Sequence, residues 1–175
     1  MFEAQGILGS GRGTELKRIV AILSGSLAVA MVLAVGAFAA EVSPDEYKEA
    51  AEPICKTSAK ENERILSGVR KEVKQGKLKT AAAKFAKASK EQSQTLKKLA
   101  ALPQPAADEA RLSKWLGYLK IEAELFDQAG RKLQAGDKPG AEHVFAKLTP
   151  NANKANNQVL PFEFRYCRLE PQKFS

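Results

Sequence analysis

From Ser43 onward apolar residues recur every three to four positions, and no alternating strand pattern competes with that rhythm. The first helical stretch opens on SPDEYKEAAEPIC, with Ser43 at the N-cap, Pro44 at N1 and Glu46 at N3, which is a capping box. Its inner positions are Tyr47, Ala50, Ala51, Ile54, Ser58, Ile65, Val69 and Val73, and Gly76 in KQGK ends it. Pro53 lies inside and is expected to kink or restart the helix, because it lacks an N–H and clashes one turn back. A second helix is predicted over about 77–101, with Leu78, Ala82, Phe85, Ser89, Leu96 and Leu99 facing inward. Its other side carries Lys79, Lys84, Lys87, Lys90, Lys97 and Lys98 until Pro103 and Pro105 stop it. A third helix, over about 106–135, carries Leu112, Leu116, Leu119, Ala123, Phe126, Gly130 and Leu133 in steps of four and three. Trp115, Tyr118, Ile121 and Leu125 widen this seam into a core face.

A fourth helix begins after Gly136 with Asp137 as cap and Pro139 in its first turn. Ala141, Val144, Phe145, Leu148, Ala152, Ala155 and Val159 form its inner face, and Pro150 is expected to bend it. Four helices with short joints predict an all-α, antiparallel up-down-up-down bundle. It occupies residues 41–175, together with a C-terminal tail tied back by a disulfide.

The region before the bundle has a different character. Residues 1–18 read as a cytoplasmic leader, and Ile19 to Ala40 is an uncharged apolar run with Lys17 and Arg18 on its near side. Basic residues on that side keep the N-terminus inside and send the rest across. Ala37 and Ala39 fit signal-peptidase cleavage after Ala39, while the length of the run also suits a retained anchor, which needs about 20 residues. Both readings place residues 41–175 outside the cytoplasm. The long leader leaves open whether translation starts at Met1 or further in.

That address gives the cysteines a compartment. Cys55 and Cys167 are the only two, both downstream of the apolar run, and an even pair in an oxidising space reads as a disulfide. There is no CxxC or CxxCH spacing. In an up-down bundle the fourth helix ends where the first begins, and Cys55 lies about 16 Å up that first helix. Pro161 to Cys167, nearly extended, reaches about 20 Å, enough to close the bridge. One tension is that Phe162, Phe164 and Tyr166 alternate onto one face, which turns Cys167 away unless the chain bends near Tyr166.

The net charge is +8, and it is unevenly spread. Between Lys56 and Lys98 thirteen Lys and Arg face four Glu. This basic flank is either a solvated face or a surface for anionic envelope polymer or lipid headgroups, with Lys84, Lys87, Lys90, Lys97 and Lys98 as candidate contacts. Nucleic acid is not expected, because of export and because no aromatics interleave with the lysines. Catalytic patterns are missing: His143 is the only histidine, and Glu142 beside it has the wrong spacing for a bundle metal site. Neither metal nor cofactor is expected, and the protein reads as a non-enzyme. Glu122 and Glu124 are expected on the solvated margin of the third helix, near Lys120. Trp115, Tyr118 and Phe126 are the residues of an alternative reading, a carrier that holds a small apolar ligand between helices.

The order of motifs also carries a resemblance. An IC in the first helix is followed by LKKLAALPQPAADEARLSKWL, then LQAGD, then ANKANNQVLPFEFRYC. Over roughly residues 45–168 this resembles a group of uncharacterised exported four-helix proteins common in actinobacteria. Those have a Cys in helix 1, a Pro-containing helix 2–3 junction ahead of a Trp-Leu pair, Gly-Asp before helix 4 and an aromatic-Cys ending. Where that group has Gly-Leu or Gly-Phe before the last Cys, this chain has FEFRY. The resemblance implies the bundle and the Cys55–Cys167 bridge, and it implies no activity or ligand.

Overall fold

The computed structural model describes residues 41–173; the predicted leader 1–18 and apolar segment 19–40 lie outside them. All regular structure among the described residues is helical. The α-helices are α1 (Pro44–Leu66), α2 (Val69–Lys74), α3 (Leu78–Ala100), α4 (Glu109–Gln134), α5 (Lys138–Phe145) and α6 (Leu148–Gln158). Short 3-10 turns occupy Ala106–Asp108, Leu160–Phe162 and Pro171–Lys173. The four predicted helical stretches are all present, the first and last each in two pieces.

The capping box forms in full. Glu46 N–H donates to Ser43 Oγ at 3.2 Å, and Ser43 N–H donates to Glu46 Oε2 at 2.8 Å. α1 runs through Pro53 without a restart, and Thr57 Oγ1 donates back to the Pro53 carbonyl at 2.9 Å. The interruption comes instead at Ser67 and Gly68, where Gly68 has φ of 74°. A side chain would be strained in that left-handed conformation, so glycine makes the break. The fourth stretch breaks before Pro150 rather than bending at it, because Pro150 stands in the first turn of α6. There its missing N–H costs little, whereas a continuous helix would set its ring against the Ala146 carbonyl. Asp137 caps α5 as predicted, accepting from Gly140 N–H at 2.9 Å.

α4 packs against α3, α5 and α6, and α3 also meets α1 and α2. The close approach of α3 and α4 depends on Gly130: a Cβ there would lie 3.2 Å from the Ala82 carbonyl oxygen. Apolar side chains gather in two clusters. One joins Ile65, Leu66 and Val69 to Ala81, Phe85, Phe126, Leu133 and Val144. The other joins Tyr47, Ala51 and Cys55 to Leu99, Leu112, Trp115, Ala155 and Val159. Ile121, expected in the core face, is 41% exposed, because it lies about 120° round the helix from Trp115 at 100° per residue. On α3 the inner face runs through Ala81, Ala88, Gln92 and Thr95, while Ser89 and Leu96 are only half-buried.

The Cys55–Cys167 disulfide is present, with Cα atoms 5.0 Å apart. The tail resolves its tension by bending at residues 165–168, so that Phe162, Phe164 and Cys167 are all buried. Phe162 and Phe164 stack with centroids 5.3 Å apart, Tyr47 meets Phe162 edge-on, and Phe164 lies 5.6 Å from Trp115. Backbone partners hold the bend. The Glu52 carboxylate accepts from the N–H groups of Arg165 and Tyr166. Asn156 brackets Leu169, accepting from its N–H at 2.8 Å and donating to its carbonyl at 3.0 Å.

Candidate functional site

A polar layer separates the two apolar clusters. Ser58 and Asn62 from α1, Gln92 and Thr95 from α3, and Glu122 from α4 are all buried. Each occupies an inner position of its helix. Cys55, Ser58, Asn62 and Ile65 step by three and four, as do Ala88, Gln92, Thr95 and Leu99, and Leu119, Glu122 and Phe126. Asn62 Nδ2 donates to Gln92 Oε1 at 3.2 Å, and Gln92 Nε2 donates to Glu122 Oε2 at 3.0 Å. One hydrogen-bonded chain thus crosses three helices.

The solvated margin expected for both glutamates holds only Glu124, whose carboxylate lies 3.9 Å from Lys120. Glu122 is 4% exposed. At about 100° per residue it falls about 20° from Trp115, at the edge of the face that carries Leu119 and Phe126, while Glu124 lies about 200° further round. No salt bridge reaches Glu122 among the described residues. Burial therefore pushes its pKa up to about 8, since a low-dielectric interior disfavours the ionised carboxylate. At neutral pH the side chain is a protonated acid, able to donate as well as accept.

A cavity of about 70 Å³ lies beside this layer, bounded by Ser58, Asn62, Gln92, Thr95, Trp115 and Glu122. Tail residues Tyr166 to Glu170 form its outer wall, pinned there by the disulfide. Asn62 Oδ1 and Trp115 Nε1 find no hydrogen-bond partner in the protein, so the space offers both an acceptor and a donor. A water needs roughly 10–15 Å³ of room for its centre, so several fit. The volume is far below the roughly 300 Å³ at which drug-sized ligand sites begin. The space has the polar groups and the room for a few waters, and it is small beside a drug-sized ligand site.

The aromatics singled out as a ligand cavity do not share one space. Trp115 and Phe126 line the polar cavity and Tyr118 does not. Tyr118 is half-buried against the Trp115 cluster, and its carbonyl accepts from Asn151 Nδ2 at 3.0 Å. The lysines also divide. Lys84 Nζ donates to the Ser67 carbonyl at 2.6 Å and to Glu72 Oε1 at 2.7 Å, which fastens α3 to the α1–α2 break. Lys87, Lys90, Lys97 and Lys98 are exposed and make no salt bridge among the described residues. His143 is exposed on α5.

No group of three or more His, Cys, Asp or Glu that could hold a metal ion occurs among the described residues. None of their helices is long and apolar enough to cross a membrane. No family model, curated protein or solved structure matches this chain. Its reading therefore rests on its own chemistry.

The layer was legible in principle. The series Trp115, Leu119, Glu122, Phe126, Ala129 and Leu133 steps by four and three and includes the glutamate. Assigning a carboxyl to solvent by residue type alone passes over that register.

Proposed function

We propose that this protein is a non-enzymatic binding or scaffolding module of the cell envelope that meets a repeating anionic partner through one face of α3. The single observation that carries this reading is the free stripe of Lys87, Lys90, Lys97 and Lys98. At about 100° per residue these four fall within an arc of about 100°, and they span about 16 Å of helix. Glu91 borders the stripe, and Glu61 of α1 lies near enough to Lys87 to feel its charge. With four lysines against two acids, the stripe keeps a net positive sign. Lys84 leaves the candidate set, because its ammonium already has two partners.

The helices run up-down-up-down in this reading. The core memberships support it. Early α1 residues share a cluster with the end of α3, the start of α4 and the end of α6, while late α1 residues join the start of α3 and the end of α4. The bundle acts outside the cytoplasm, either released after Ala39 or held by residues 19–40, as in the exported actinobacterial proteins it resembles. The disulfide is compatible with that address. A lone buried acid among amides, with the sole histidine exposed, supports binding over catalysis.

Cosedimentation of the oxidised protein with phosphatidylglycerol vesicles, phosphatidylcholine vesicles and insoluble anionic wall polymer, across a salt series, tests this. Binding to anionic material should weaken steeply with salt and disappear when Lys87, Lys90 and Lys97 become Gln. The two anionic arms identify the source of the charge. No binding at low salt ends the proposal.

A further inference from the structure

Because the chain breaks at Gly68, the short α2 stands across a groove from α5 and α6, and the groove has a volume of about 410 Å³. That lies within the roughly 300–1,000 Å³ typical of small-molecule sites. Val69 and Val73 form one wall and Leu148 the other, over a floor of Phe85, Phe126 and Phe145. The Phe85 ring lies 6.0 Å from Phe126 and 5.0 Å from Phe145, so the three rings pack into one aromatic floor, with Phe145 its most exposed member. Pro171 of the tail also lines the groove.

The rim is charged with one dominant sign. Arg70, Lys74 and Lys138 border the groove, and Glu142 is the only acid among its lining residues. Glu142 is 4.0 Å from Lys138. Arg70 and Lys74 make no salt bridge among the described residues and project from α2 beside the apolar trough. An apolar slot with two unpaired cations at its edge complements a molecule with a hydrocarbon body and a compact anionic head.

We infer that this groove binds a single-chain anionic amphiphile, a fatty acid, with its alkyl chain over Phe85, Phe126 and Phe145 and its carboxylate between Arg70 and Lys74. The planar guanidinium of Arg70 can grip a carboxylate through two parallel hydrogen bonds, and Lys74 adds a point charge. Burial of the chain makes affinity depend on its length. Each methylene removed from water strengthens binding about fourfold at most. This site shares no residue with the α3 lysine stripe, so each can fail alone.

Calorimetric titration of the oxidised protein with dodecanoate, decanoate and 1-dodecanol, below their aggregation thresholds, is the test. Dodecanoate should bind one to one and about tenfold more tightly than decanoate. The exposed double variant Arg70→Gln/Lys74→Gln should weaken dodecanoate at least fivefold while leaving 1-dodecanol unchanged. Variant Phe145→Ser should weaken both ligands, and its circular dichroism reports whether the helices persist. Absence of saturable dodecanoate binding overturns the inference. So does equal affinity for the acid and the alcohol, or a loss that follows Lys87, Lys90 and Lys97 rather than Arg70 and Lys74.

Discussion

Replacing Glu122 by Gln removes one proton-binding site from the centre of the protein and leaves its shape almost unchanged. In the unfolded chain the carboxyl titrates near 4.5, and in the folded protein burial raises this to about 8. Between those values the unfolded chain has released the proton and the native state has kept it. The native state therefore binds more protons, and stability falls as pH rises, by about 1.4 kcal/mol per unit. Below the unfolded value both states are protonated and nothing is lost. Above the folded value the loss levels off, at an order of magnitude of 5 kcal/mol. At pH 7 it is on the order of 3 kcal/mol. The substituted amide does not titrate, and it can still meet Gln92. The assay is urea denaturation at pH 5, 6, 7 and 8 followed by the fluorescence of Trp115, the only tryptophan and fully buried. Every other titrating group is common to both proteins, so the difference between their stabilities isolates Glu122. Glu122→Gln should gain on the wild type as pH rises and should be the more stable protein by pH 8. Parallel profiles over that range would refute the account of Glu122 as a protonated interior acid.

Two further changes probe the scaffold. Cys55→Ser with Cys167→Ser opens a loop of 112 residues, which on chain-entropy grounds lowers stability by about 4–5 kcal/mol. Dithiothreitol should lower the wild-type urea midpoint to that of the double variant, and Trp115 emission should change as Phe164 leaves it. Lys84→Gln removes the ammonium that joins Ser67 and Glu72, with a side chain 28% exposed. The loss is expected near 1 kcal/mol after solvent screening, and hydrogen exchange should quicken in α2 before it does so in α3.

Two of the places where expectation and structure part, Glu122 and Lys84, have a common cause. Periodicity put Phe85, Leu99, Leu119 and Leu133 on inner faces, and they are buried. It puts Asn62, Gln92 and Glu122 on the same faces, but their polarity argues for solvent. Only the meeting of three helices gives each a partner, and a satisfied amide or a neutral acid can then remain inside. The lysines divide for a related reason. Lys84 and Lys87 look alike in sequence, but only the break at Gly68 brings Glu72 and the Ser67 carbonyl to Lys84.

Local chemistry, legible without any structure, determined the all-helical class and the capped starts at Ser43 and Asp137, and the pairing of Cys55 with Cys167 was legible because the chain has only two cysteines. Caps, glycine stops and the three-to-four residue rhythm act within one or two turns of chain, so a linear reading captures them. The tertiary structure decided the polar layer, the tethering of Lys84, the bend that brings Cys167 inward and the groove between α2 and the α5–α6 pair. Each depends on groups far apart in sequence meeting in space. The energy of such a meeting belongs to the partners together, so neither segment reveals it alone.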